Sequence, residues 1–120
     1  MRDYQVFTHE NFGIVRVRIW SDEQPWFVAV DICNSLKLSS SRDAICRRVD
    51  GEDRIIFSYN DWEHEELLIN IPGMYWLIFL TNTTESRKFK TWMTSKVIPN
   101  IKPYWMTLAS ERSENIAVNQ

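Results

Sequence analysis

Three groups of side chains have types and spacings that chemistry could use. Asp61, Glu63, His64, Glu65 and Glu66 put five oxygen or imidazole ligands into six residues, a donor set that suits a divalent cation. Clustered acids in a loop are by default solvated, and we expect no metal there. Cys33 and Cys46 lack CxxC spacing and sit in apolar surroundings, so they read as buried thiols in a reducing compartment rather than zinc ligands or a disulfide. His9 beside Glu10 reads as a turn histidine. The third group is basic. Arg87, Lys90, Thr91 and Thr94 share one arc at helical spacing, with Lys88 to one side, and Arg42, Arg47 and Arg48 cluster earlier in the chain. Lys and Arg bring charge to phosphates and Thr brings hydroxyl donors, although any surface helix also needs a charged outer face.

The remaining catalytic vocabulary is missing. Three glycines form no phosphate-cradling loop, and the chain has no nucleophile elbow and no zinc-protease motif. We expect no enzymatic activity and no cofactor.

Charge is segregated along the 120 residues. The whole chain carries a formal net charge of −2, but residues 50–66 hold seven acids and one base while residues 85–102 hold five bases and one acid. A chain of this balance is not a general polyanion binder, yet it can carry one basic face. The longest apolar run, Met74 to Leu80, is far too short to span a bilayer, and the N-terminus lacks the apolar core of a signal peptide. The expected location is the cytoplasm, with no membrane partner.

The elements that must position these residues form an α+β domain, a small antiparallel sheet of hairpins packed with about four short helices. Val15, Val17 and Ile19 alternate with Arg16, Arg18 and Trp20, the period of a strand with one buried face. Val6-Phe7 pairs with it across a turn at His9 to Asn11, and Trp26 to Ala29 returns after a turn at 21–25 to complete a meander. A short helix from Val30 ends near Lys37, with Asp31 in its first turn. Ser40 and Asp43 resemble a capping box that opens a second helix through Val49. Ile55 to Phe57 and Leu67 to Ile69 form a hairpin whose loop is the acidic Asp61 to Glu66. Pro72 suits the first turn of a helix to Leu80 that is apolar nearly all round, so a second subunit or partner is expected to cover part of it, with Trp76 at the contact. Asn82 and Glu85 signal the start of a last helix, striped by Phe89, Trp92, Met93 and Val97 and ended at Pro99. The expected domain spans residues 1–103, followed by a frayed polar tail over 104–120.

Four segments then carry a resemblance: "PWFVAVDICNSLKL", "SRDAICRRVDGEDR", "LLINIPGMYWLIF" and "ESRKFKTWMTSKVIPNIK". In this order and spacing, over some four-fifths of the chain, they resemble the Bro-N domain of phage antirepressors and baculovirus repeated-ORF proteins. The last two segments are the most specific. The resemblance implies a phage- or prophage-derived transcriptional regulator that binds double-stranded DNA, with Arg42, Arg47, Arg48, Arg87, Lys88, Lys90 and Lys96 as contacts. A homodimer is also expected, since two copies of a weak footprint multiply affinity, and Trp76 and Phe79 are the residues expected at an oligomer or partner interface. This sequence departs from the family pattern at Lys37, where a glycine usually closes the first helix, at Arg48 in place of histidine, and at Trp76 in place of a polar residue. The family module is commonly linked to a C-terminal domain, and no second domain is expected in the short stretch that follows here. A second reading stays open, in which the acidic hairpin and the apolar helix engage a repressor protein without DNA contact.

Overall fold

The computed structural model describes residues 4–39, 42–58 and 65–108. Five strands form one antiparallel sheet: β1 (Gln5–His9), β2 (Gly13–Ile19), β3 (Pro25–Val28), β4 (Arg54–Ser58) and β5 (Glu65–Ile69), in the order β1-β2-β3-β5-β4. The expected meander is present, with Val17 opposite Phe27 and Phe7 opposite Val15. The second hairpin joins it because Phe27 and Val28 pair with Ile69 and Leu68.

Among the described residues the helices α1 (Ala29–Ser35), α2 (Arg42–Arg48), α3 (Ile71–Thr81) and α4 (Thr84–Trp92) pack with the sheet in an α+β arrangement. A 3-10 turn, Gly51–Asp53, precedes β4, and α4 runs into a π-helical turn, Met93–Val97, and a 3-10 turn, Ile98–Asn100. Residues 104–108 are helical. Val15, Val17, Phe27 and Ile69 from the sheet meet Ile32, Ile45, Val49, Met74, Leu77, Phe89, Met93 and Val97 from the helices in the main core.

Several boundaries differ from the sequence reading. Ala29 is already helical, because β3 passes into α1 without a loop. Lys37 takes the left-handed conformation, φ 61°, at the end of α1, the position where the family pattern puts glycine. The start of α4 is one residue later than Asn82 and Glu85 suggest. Thr83 and Ser86 form the capping box, while Asn82, φ 45°, closes α3 in the left-handed region. Asn is a favoured N-cap and also enters the left-handed region that ends helices, so residue type alone does not exclude either assignment. The proposed Ser40 cap lies outside the described residues, as does most of the acidic loop, residues 59–64.

Arg18 is the largest departure from a strand with a single buried face: it is only 7% exposed. The sheet has a second, smaller apolar face of Trp26, Val28 and Leu68, flanked by Tyr4, Trp20, Ile55 and Phe57. Arg18 lies on it between the rings of Tyr4 (4.2 Å) and Phe57 (4.9 Å) and donates to Glu66 at 3.1 Å, while the Tyr4 hydroxyl donates to the same carboxylate. A buried guanidinium is tolerated where its charge is paired and its planar faces are stacked.

Candidate nucleic-acid interface

The residues that define a basic face begin with the anchor of α4. Ser86, Phe89, Met93 and Val97 are buried, and Trp92 is half-buried. The turn between β1 and β2 locks this stripe: Phe12 meets Phe89 edge-on at 5.3 Å, and His9 packs on Phe12 at 4.5 Å and on Trp92 at 5.1 Å. His9 is therefore not a turn residue but the last residue of β1, packed among aromatic rings, and its Nδ1 accepts from the Asn11 N–H in the turn at 3.0 Å. A regular α-helix carries a stripe spaced by four residues slowly around its axis. The wider turn at 93–97, closed by the Ile98 N–H donating to the Met93 carbonyl, brings Val97 back under Met93.

With the inner side held, the outer side presents Arg87, Lys88, Lys90 and Lys96, all exposed. Arg87 reaches back to Asn82 Oδ1 (3.3 Å) and Thr84 Oγ1 (3.4 Å). Lys88 lies 3.8 Å from Glu85 in an exposed pair of little energetic weight. Among the described residues no ion pair engages Lys90 or Lys96. The threonines depart from expectation. Thr91 Oγ1 donates to the Arg87 carbonyl at 3.1 Å, and Thr94 Oγ1 and Ser95 Oγ converge on the Thr91 carbonyl at 3.2 and 2.6 Å. Each hydroxyl has one proton to give, so these are committed to the helix backbone. Charge, not hydroxyl donation, is what this face offers.

The α2 cations are a separate group. Arg47 and Arg48 lie exposed in the last turn of α2, which Ile45 and Val49 tie to the same core that α4 enters. The backbone of Arg42 opens α2, and its side chain lies outside the described residues. The structure thus strings Arg87, Lys88, Lys90 and Lys96 along one continuous helical run, whereas the α2 group shares only a core with it. On α3, Trp76 and Phe79 are 47% and 68% exposed, with rings stacked at 5.5 Å.

A model of the BRO family, N-terminal domain, matches residues 15–99, most of the chain and every element from β2 to the turn after α4. The chain belongs to the Bro-N family. A curated relative from Haemophilus influenzae (strain ATCC 51907 / DSM 11121 / KW20 / Rd), named only as an uncharacterized protein, is 28% identical over 107 residues. That similarity covers 85% of this chain and 53% of the relative, so the chain spans about half the length of the relative it matches. No solved structure matches the chain significantly.

The structure also explains residues that pattern reading passed over. Asn70 is buried; its Oδ1 accepts from the Gly73 N–H at 2.9 Å, and its Nδ2 donates to Gln24 Oε1 at 3.1 Å and Asp53 Oδ1 at 3.0 Å. The only advance signal for it was the Asn-x-Pro order ahead of an apolar helix. Phe12 and Ser35, joined by a hydrogen bond from Ser35 Oγ to the Phe12 carbonyl at 2.7 Å, gave no signal at all. Among the described residues no group of three or more His, Cys, Asp or Glu is placed to share a metal, and no helix is long and apolar enough to cross a membrane.

Proposed function

We propose that this Bro-N chain is a phage- or prophage-derived transcriptional regulator of the antirepressor kind, acting in the cytoplasm, that binds double-stranded DNA through the basic outer face of α4 and the turn after it. One observation carries the reading: four cations stand on a helix whose opposite side is locked in the core by Phe89, Met93 and Val97. Cations fixed on a rigid element can meet a regular array of phosphates with little ordering cost. Among the described residues Lys90 and Lys96 give up no ion pair to do so. Arg42, Arg47 and Arg48 extend the footprint on α2, and a homodimer doubles it. The association of Bro-N domains with DNA binding and transcriptional control supports the same reading, and nothing in it calls for an enzyme or a cofactor.

The test is charge reversal. Lys90→Glu and Lys96→Glu, singly and together, are expected to weaken binding to a labelled duplex several-fold each while far-UV circular dichroism and Tm stay unchanged. A folded double variant with unaltered affinity contradicts the assignment of this face.

A second reading, a protein-binding antirepressor or decoy that engages a repressor, is favoured by the exposed Trp76 and Phe79 stack. Its acidic half is weaker than the sequence suggests, because Glu66 is turned inward to Arg18.

A further inference from the structure

The segment Met74 to Leu80 is apolar at every position. Only one side of it enters the core, where Met74, Leu77 and Ile78 are buried, leaving Trp76, Phe79 and Leu80 exposed on the side where a surface helix carries polar residues. At the N-terminal end of this strip Trp76 forms one wall of a cavity of about 250 Å³, completed by Val49, Asp50, Asp53, Pro72 and Gly73. Gly73 lets α3 approach this closely: a Cβ there would stand 3.1 Å from both the Asp53 carbonyl oxygen and Val49 Cγ1.

We propose that this cavity receives the guanidinium of an arginine carried by a partner protein. Its volume lies below the range of about 300–1,000 Å³ that small-molecule pockets occupy, and suits a single long side chain. The charged side chains in its wall are two carboxylates. Asp53 is fixed by the Asn70 amide at 3.0 Å, Asp50 is exposed, and among the described residues neither is ion-paired. Arg54, the next residue in the chain, donates to the Val49 carbonyl instead. An indole face beside two carboxylates attracts a cation, and a planar guanidinium can stack on the ring while forking onto a carboxylate, which an ammonium cannot do. An apolar residue following that arginine then covers Phe79 and Leu80. None of these residues belongs to the DNA-binding face, so this inference stands or falls independently of it.

The experiment is a ¹H–¹⁵N NMR titration of the full chain with the peptide acetyl-Arg-Ala-Leu-Leu-amide, with the same peptide carrying citrulline as its neutral control. The Trp76 indole signal is assigned with Trp76→Phe. Saturable shifts of that signal and of the Gly73 amide are expected, with Kd on the order of 1 mM, as suits one anchored side chain. The citrulline peptide, and Asp50→Asn with the arginine peptide, are each expected to weaken binding at least about fivefold, the effect of losing a charge-assisted pair. Equal shifts with citrulline overturn the proposal, as does the lack of any shift up to roughly ten times that Kd. Shifts of the same signals that grow with protein concentration alone identify a second copy as the occupant and overturn it too.

Discussion

Asp31 completes a strand edge that would otherwise be bare. β3 ends at Val28, so β2 runs on beyond it, and Asp31 Oδ2 accepts the Arg16 backbone N–H at 2.9 Å. The same carboxylate holds the Arg16 guanidinium at 2.8 and 2.9 Å, and this hydrogen bonding pushes the arginine further above its ordinary range. Asp31→Ala leaves a backbone donor without its acceptor and is expected to cost about 2–3 kcal/mol, toward the lower end of buried-pair losses because Arg16 is about one-third exposed. Asp31→Asn, which keeps an acceptor oxygen, should cost less; urea unfolding at neutral pH measures both. The two thiols differ in kind. Burial pushes the Cys33 thiol up, while Cys46 is only half-buried. Ellman's reagent is expected to modify one thiol in the native protein and the second only on unfolding, with Cys46→Ser removing the fast phase. Folded Cys33 keeps its proton to higher pH than the unfolded chain does, so its contribution to stability is intact below the ordinary thiol range and falls as pH rises through it.

At the scale of elements, the junction before α3 shows what local sequence can specify. Pro72 marked the helix start, and the structure places Asn70 as its cap and Gly73 at the close approach to Val49 and Asp53. Asn70→Ala is expected to cost about 2–3 kcal/mol, because it removes a cap and leaves the Asp53 and Gln24 oxygens without their shared donor. Gly73→Ala should gain helix propensity but lose more to overpacking, for a net loss of about 1–2 kcal/mol in thermal unfolding. The meander, the hairpin and the apolar stripe of α4 were legible because hydrophobic period and turn residues report on them directly. The environment of Arg18 was not, since alternation assumes one wet face and this sheet has apolar contacts on both. Nor was the 93–97 turn, whose wider pitch follows from where the core lies and not from any residue type. The basic arc itself was legible at Arg87, Lys88, Lys90 and Lys96, while the commitment of Thr91 and Thr94 to backbone carbonyls is set by their rotamers, on which residue spacing does not report.

For the whole molecule, the division of charge along the chain becomes a division among elements. Of the acids of the 50–66 region that the structure describes, Glu52 and Asp53 lie in the 3-10 turn, Asp50 and Asp53 in the wall of the α3 cavity, Glu66 turns inward to Arg18 and Glu65 is exposed on β5, while Arg87, Lys88 and Lys90 line the outside of α4 and Lys96 the turn after it. That separation lets a protein of net charge −2 offer one cationic surface. How α2 and α4 stand to each other depends on the shared core and could not be read from either segment alone. The most direct measurement is fluorescence anisotropy of a labelled duplex titrated with the protein at several salt concentrations. The account predicts affinity that falls steeply with salt, at a log–log slope of about −0.9 per phosphate neutralised, and a slope about one unit shallower for Lys90→Ala. Binding that ignores salt, or a slope that Lys90→Ala leaves unchanged, would contradict it.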